Sequence, residues 1–479
     1  MTKYDICIVG GGISGLYTAY KLLNTEYKIV ILESSGRLGG RIHTFKTDDY
    51  IYEIGAGRIS ENNKYLMKLI NDLSLKENLY KLPEDHKIIL NNKNKNADPF
   101  KDLQKIIKAS KLYTKKYLVS ITFLQLCIDI LGFQRATELR YMMAYDSEFN
   151  NLNAYACLKM YKNDLLIKNQ YYILTCGLEE IIHRIIEKLK ESKNITIKTE
   201  AFVTDIHDKK LQYKTEEKTQ TIHFDKCISC IPLNPLLQFK MFKDLSLDKQ
   251  IKHIPLLRIY AKYPLQNGKA WFHNLPSCIT DNYIRFIIPI DSKNGIVMIS
   301  YTDSMYAEMW NNLSKNGNKV LYTELHKQVK EILNIDPPKP TFIRTYYWSE
   351  GYHSWNTGTD LNKEYTTLQK PFEDKEIYLC NESFSKKQGW IEGCLEMSED
   401  VLKKMNHEQI GGKSKSKIPI YTSLDEIIKK KTWIIFERGK KRKIYDVSKW
   451  ISKHPGGVNS IQSGIKANRY YEKMGKDPK

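Results

Sequence analysis

A chain of 479 residues is longer than one hydrophobic core organises, so two or three domains are expected. Hydrophobic residues make up 42% of it, enough for a folded protein, and no apolar run is long enough to span a bilayer. Lys and Arg (75) outnumber Asp and Glu (55), giving +20 and a pI near 9.2, but the excess is mostly Lys spread along the chain among many Asn, Ile and Tyr. That distribution fits an AT-rich coding bias better than a stripe specific for nucleic acid.

Nine scattered cysteines, an odd number, argue against a secreted disulfide framework and for a reducing compartment, so a cytoplasmic protein is expected. The opening YDICIVGGGISGLYTAYKLL is broken by glycines and lacks the basic leader of a secretory signal. Cys227 and Cys230 form the one close pair. With no second pair to complete four zinc ligands, they read as part of a strand.

In chain order, YDICIV reads as a buried strand, Gly10, Gly12 and Gly15 as a tight turn, and ISGLYTAYKLL as a helix. KIVIL is a second strand and ends in Glu33. In such a unit the glycines let the backbone approach a pyrophosphate at a helix N-terminus, while the acidic residue accepts ribose hydroxyls. Glu33 would repel a 2′-phosphate, which disfavours NADP.

Directly after Glu33 come SSGRLGGRIHTF and YEIGAGRIS. Together with the glycine turn they resemble the flavin-containing amine oxidase superfamily, in which a second glycine cluster and its arginines lie along the FAD phosphates. Arg37, Gly39, Gly40 and Arg41 match that cluster residue for residue, and Gly55, Ala56 and Arg58 belong to the segment that follows. His43 matches a residue type common there, so covalent flavin attachment at it stays open.

The resemblance continues in family order. YYILTCGLEEIIHRIIEKLK matches a turn and helix, with Cys176 where glycine is usual. Leu178, Ile181, Ile182, Ile185, Ile186 and Leu189 recur at helical spacing and leave His183 on the surface. ITIKTEAFVTDIH and FDKCISCIP resemble strands returning to the cofactor domain, which implies that the backbone at Val203 meets the adenine. EIYLCNESFSKKQGWIEGCLEMSEDVLKKM resembles the closing motif, with Asn381 in place of a glycine. There the resemblance implies Glu382 on the ribityl chain and backbone amides of the Gly389–Gly393 turn, including Trp390 and Ile391, at the flavin ring.

The implied fold is α/β: a Rossmann-type FAD-binding domain with an interleaved α+β substrate domain, followed by a small α+β cytochrome b5-like domain. The segments are 1–60, 170–250 and 370–405 for FAD, 61–169 and 251–369 for substrate, 406–419 as linker and 420–479 as the last domain. The family chemistry moves a hydride from the carbon beside a neutral amine to flavin N5, with dioxygen or another acceptor taking the electrons. Two aromatic rings commonly flank the amine. Trp390 falls at one position, and Trp355 is the first choice for the other, with Tyr352 and Trp348 as alternatives and ordinary core packing as the plain reading. Arg258 stands where many members carry a lysine near N5. It keeps the charge but cannot release a proton, so slower oxygen chemistry, an anionic substrate group and a structural cation are all open readings. His353 could act as a base near the flavin, with a structural role as the plain reading of a lone His in an aromatic loop.

Near the C-terminus, YTSLDEIIKKKTWIIFERGKKRKIYDVSKWISKHPGGVNSIQ resembles cytochrome b5, with ERGKKRK as a solvated hairpin. His454, in His-Pro-Gly-Gly, is the one haem-ligand candidate. No second histidine follows it, and the stretch ends in Gly475-Lys476. A haem-free remnant that packs or binds a protein partner, haem held by His454 with Lys476 or no sixth ligand, and a second histidine outside this sequence are the three readings. The whole implies an FAD-dependent amine oxidase acting on a small-molecule amine. A flavin desaturase or dehydrogenase and a catalytically idle flavoprotein are the rivals. Composition and domain pairing resemble proteins of large DNA viruses, for which host cytoplasm or a virion would follow.

Overall fold

The computed structural model of the protein describes residues 2–164, 170–413, 433–438 and 441–446. Residues 1–405 form one compact unit and 406–479 a second. In the second, Trp433–Arg438 and Lys441–Asp446 pair as an antiparallel hairpin with Glu437 opposite Arg442. His454, Gly475 and Lys476 lie outside the described residues. No described helix is long and apolar enough to cross a membrane.

The first unit is built on two seven-stranded sheets. The chain opens with β1 (Lys3–Val9), α1 (Ile13–Lys21) and β2 (Ile29–Leu32), then a hairpin of β3 (Thr44–Lys46) and β4 (Ile51–Glu53) and helix α2 (Lys64–Asp72). β5 (His86–Leu90) and β6 (Lys93–Lys95) follow, then α3 (Asp146–Asn150), α4 (Ala154–Asp164) and α5 (Glu179–Lys190). Next come β7 (Ile195–Lys198), β8 (Phe202–His207), β9 (Lys210–Lys214) and β10 (Thr219–Ser229). β11 (Ile251–Lys262), β12 (Ser277–Thr280), β13 (Phe286–Asp291), β14 (Ile296–Asp303) and β15 (Phe342–Trp355) precede α6 (Leu361–Leu368), β16 (Ile377–Leu379) and α7 (Ile391–Lys413).

The first sheet runs β7-β2-β1-β10-β9-β8, with β16 also paired to β10. Its β7, β2, β1, β10 and β16 are parallel. β1 and β2 read as near-continuous apolar runs because both faces are covered: Ile6, Ile8, Ile29 and Ile31 are fully buried. Its strands come from residues 3–32, 195–229 and 377–379, so this sheet is assembled from segments far apart in sequence. The second sheet runs β15-β11-β14-β13-β12-β5-β6. β11 and β15 are its long members, antiparallel from Ile251 opposite Trp355 to Lys262 opposite Phe342.

Two local features set the shape of the first sheet's upper edge. At Gly15 a Cβ would fall within the radius of the Gly10 carbonyl oxygen, so only glycine lets α1 lie this close to the end of β1. On α5 the expected stripe is buried at Ile181, Ile182, Ile185 and Leu189, while His183 faces outward with 59% of its side chain exposed.

Helix α2 is capped from a distance. Asn63, before its first turn, makes no side-chain cap bond, and the carboxylate of Glu392, fully buried in the first turn of α7, accepts from Tyr65 N at 3.1 Å and Leu66 N at 3.0 Å. Those amides would otherwise be orphan donors inside the protein. Glu392→Ala should therefore cost about 1–3 kcal/mol for the two unsatisfied buried donors. A lowered urea midpoint of the cofactor-loaded protein, at unchanged slope, is the measurement.

Candidate functional site

A cavity of about 1060 Å3 opens along the C-terminal edge of the first sheet and continues under β11 and β15. Its walls at the sheet edge are the ends of β1 and β2. Gly10, Gly12, Glu33, Arg37, Gly39, Gly40, Arg41, Gly55, Ala56 and Arg58 all border it. Gly15 does not; its role is the helix–strand approach. A side-chain atom on Gly12 would meet no protein atom closer than 3.9 Å, at Gly40, so this stretch of wall is bare backbone. Helix α1 starts there without a side-chain cap, and Ser14 Oγ in its first turn is buried with no hydrogen-bond partner. The Cys394 thiol lies beside it. Open amides, an unpartnered hydroxyl and the positive end of a helix dipole fit an anion such as a pyrophosphate.

Glu33 ends β2 at the cavity. Its Oε2 accepts from Gly11 N at 2.7 Å and its Oε1 from Ser35 N at 2.9 Å and Ser35 Oγ at 2.8 Å, which fixes the carboxylate while leaving Oε2 a further lone pair. Arg37 borders the cavity while its guanidinium is engaged within its own loop. Its guanidinium donates to Leu38 O at 3.0 Å, Ile42 O at 2.9 Å and Gly40 O, and pairs with Glu179 at 3.3 Å. The loop turns its carbonyls inward, and Arg37 satisfies them. Val203 is placed apart from its implied contact. It lies in β8 opposite Tyr213, 8% exposed, and is not on the cavity wall. Ala201 and Glu200 dock that strand by donating to Glu33 O at 2.8 Å and Ser35 O at 3.0 Å. His43 does not border the cavity either.

The centre of the site is a buried charge cluster. Glu382, 2% exposed, accepts four bonds. Oε1 takes His353 N at 3.0 Å and Gly389 N at 2.7 Å, and Oε2 takes Arg41 at 2.7 Å and His353 Nδ1 at 3.0 Å. His353 Nε2 lies 3.2 Å from Glu350, and Arg41 also donates to Gly351 O at 3.1 Å. Burial alone would raise the Glu382 carboxyl, but the Arg41 guanidinium and the His353 imidazole outweigh it and hold the group well below the usual carboxylate range. His353 moves the other way. Burial opposes its charge, yet Glu382 and Glu350 on either side raise it above its ordinary value. Both ring nitrogens are engaged, so His353 is structural in geometry, as its sequence context suggests.

Trp390 borders the cavity and stacks on Tyr171, ring centroids 6.1 Å apart; Arg58 lies 5.2 Å over the same Tyr171 and donates to Tyr145 Oη at 2.5 Å. Ile391 opens α7 at the wall, so the N-terminal end of that helix faces the cavity. Trp355 also lines the cavity; it is 1% exposed and donates its indole N–H to Ser385 O at 3.0 Å, packed in the core of the first sheet. The ring packed against Gly389, next to Trp390, belongs to Tyr352, whose hydroxyl is held by Asp303 Oδ2 at 2.9 Å and by Ser147 Oγ. Trp348 also lines the wall and donates to Ile54 O at 3.1 Å. Arg258 donates to Glu53 O at 2.7 Å and lies 4.9 Å from the ring centre of Tyr301.

The sequence reading did not single out Glu350, Asp303, Ser147 or Tyr145 as site residues. Asp303, Ser147 and Tyr145 acquire their roles from partners in other elements, and Glu350 pairs with His353 three positions on in the same strand.

The cluster has a definite pH signature. The raised His353 pKa means its pairing stabilises in full below the free-residue value of about 6.5 and is lost as pH rises through the folded value. Glu382 contributes throughout the neutral range, its share lost only in strong acid. Melting temperature of the cofactor-loaded protein should thus decline from about pH 6.5 upward, and His353→Gln should flatten that slope. Glu382→Gln, which leaves Arg41 and His353 facing a neutral amide, should lower cofactor retention on gel filtration.

Residues 13–400 match the family model of flavin containing amine oxidoreductases. A putative L-amino-acid oxidase YobN of Bacillus subtilis (strain 168) is 22% identical, the match covering 84% of this chain and 94% of that protein. A probable flavin-containing monoamine oxidase A of Dictyostelium discoideum is 36% identical over 75 residues, 16% of each chain. Among solved structures, a putative protoporphyrinogen oxidase from Exiguobacterium sp. 255-15 superposes with a TM-score of 0.66 at 16% identity, covering 85% of this chain and 99% of that one. A putrescine oxidase with a redesigned cofactor site gives a TM-score of 0.69 at 14% identity over the same shares. The glycine-walled cavity, the uncapped α1 and the match over residues 13–400 agree: the chain belongs to the flavin containing amine oxidoreductase family, whose members are FAD-dependent oxidoreductases.

Proposed function

We propose that the protein oxidises a small-molecule amine to an imine. The carrying observation is that Trp390, Tyr352 and Ile391 at the N-terminal end of α7 line the same cavity as the glycine turns. When bound, FAD would supply the hydride acceptor for the carbon bearing the amine, with dioxygen as the terminal electron acceptor. The chain's own residues do the rest. Gly10, Gly12 and the first turn of α1 seat the pyrophosphate, Glu33 the ribose, and the turn from Gly389 to Ile391 the flavin edge where negative charge gathers. The Glu382 cluster holds that turn by Gly389 N.

Trp390, held by Tyr171, and Tyr352, held by Asp303, present their rings to the amine and orient its nitrogen. Arg58 and Arg258 place two positive charges in the chamber wall, and neither is paired with a carboxylate among the described residues. Nearby cations disfavour an ammonium, so they keep the substrate in the neutral form that can lose hydride. His353, buried between two carboxylates, takes no part in proton transfer. Trp355 supports the Ser385 backbone beneath the site. The discontinuous division into FAD and substrate segments given above follows the same reading.

A dehydrogenase that hands electrons to another acceptor is the second reading. Arg258 favours it, since a permanently protonated guanidinium bonded to Glu53 O cannot shuttle a proton during reoxidation. For the C-terminal segment we propose a b5-like module, with His454 the haem-ligand candidate, that packs or binds a partner without stable haem.

Purified protein should show flavin absorption and no Soret band. An amine panel should bleach the flavin anaerobically, and air should restore it with peroxide formed in equal amount. Bleaching without peroxide would favour the second reading, and no bleaching by any amine would sink both. Trp390→Ala should slow anaerobic bleaching by about 10- to 100-fold, equivalent to about 1.4–2.7 kcal/mol.

A further inference from the structure

The cavity wall carries four cations with no carboxylate within ion-pair distance among the described residues: Arg58, Lys159, Arg258 and Lys386. Arg37, Arg41 and Lys387 also line it, but each faces an acid, at 3.3 Å, 2.7 Å and 3.7–3.8 Å. The two lysines of the first group are gathered by one helix. Lys159, half-buried on α4, donates to Asn362 Oδ1 at 3.0 Å and lies 5.4 Å over the Tyr155 ring. Lys386, in the loop before α7, sits 3.9 Å over the Tyr365 ring. Asn362 and Tyr365 are one turn apart on α6, so both side chains lie on the same helical face. Leu361, at the start of that helix, borders the cavity.

The neighbouring acids are already engaged. Asp360 pairs with Lys115 at 2.6 Å and caps α6 through Asn362 N, and Asp400 takes the Tyr365 hydroxyl at 2.8 Å and Lys403 at 2.9 Å. Glu364, in the first turn of α6, is the remaining acid on that helix. The Tyr365 ring is therefore fixed from its hydroxyl end and offers Lys386 a rigid face. Two ammonium groups held on neutral partners, Asn362 and the Tyr155 and Tyr365 rings, leave a local field that a bound anion would neutralise. FAD's own pyrophosphate has its seat at the other wall, on α1.

We propose that Lys159 and Lys386 form a distal anion subsite, and that the substrate is an amine carrying an acidic group, carboxylate or phosphate, remote from its nitrogen. The assignment rests on the amine-oxidising reading above. It adds a selectivity: the acidic group docks on the α6 face while the nitrogen lies between the Trp390 and Tyr352 rings.

The test uses the full FAD-loaded chain and matched pairs: glutamate with glutamine, aspartate with asparagine, phosphoethanolamine with ethanolamine. In anaerobic bleaching at low salt, the acidic member of a pair should show at least about tenfold higher kcat/KM, the worth of one charge-assisted contact. Lys159→Gln and Lys386→Gln should each reduce that ratio several-fold through KM, Lys159→Arg should restore it, and rising salt should erode it. A carboxylate preference without a phosphate preference, or the reverse, identifies the group. Bleaching with equal rates within every pair, or an acidic preference untouched in both variants, overturns the subsite and leaves the amine reading standing. If no amine bleaches the flavin, that reading fails instead. The subsite is then decided by glutarate titrated against the flavin absorption bands: saturable perturbation that weakens about tenfold in the Lys159→Gln, Lys386→Gln double variant supports it, and identical binding to both proteins overturns it.

Discussion

The site depends on one buried carboxylate. Glu382 ties together four parts of the chain: the Arg41 loop after β2, His353 on β15, its own short turn and the Gly389 turn before α7. Removing a charge of this kind from water is costly unless every lone pair finds a donor, and here four donors converge on two oxygens. The result is a rigid joint between the sheet that carries the glycine turns and the long strand that brings aromatic residues down from the second sheet. The flavin-edge turn and the Tyr352 ring are therefore positioned by the same group.

Around this joint, acids and bases are used in two distinct ways. Several are consumed by architecture: Arg37 satisfies the carbonyls of its own loop, Glu392 caps α2, and Asp303 accepts from Asp146 N and Ser147 N at the start of α3 while holding Tyr352. Others face the cavity with neutral partners and keep their field available. The difference matters because a charge already paired within about 3 Å contributes little beyond its partner, whereas an unpaired one at a low-dielectric wall acts over several ångströms. Arg58, Arg258, Lys159 and Lys386 are of the second kind.

The structure gives different partners to residues that share a motif. Trp355 and Tyr352 lie three positions apart on β15 and both line the cavity, but alternation along a strand turns them to different neighbours. Trp355 donates to Ser385 O in the core of the first sheet, and Tyr352 reaches the Gly389 turn. From sequence both are aromatic residues in one Tyr- and Trp-rich run. Val203 is a similar case: its segment does return to the cofactor sheet, but the contact with the Glu33 region is made by Glu200 and Ala201, just before the strand begins.

What the sequence by itself determined is what is local or periodic. The parallel strands β1 and β2 follow from apolar runs covered on both faces, the turn at Gly10 to Gly15 from the backbone space that only glycine leaves, and α5 from its buried isoleucine stripe. The family resemblance added the order of the segments. What only the tertiary structure decided is every relation between groups distant in the chain: that Arg41 and His353 converge on Glu382, that Arg37 meets Glu179, that Tyr352 packs on the Gly389 turn, and that Lys159 and Lys386 share one face of α6. Those relations depend on how two sheets and their helices pack, and a side chain's partner across hundreds of residues leaves no mark on the residues beside it.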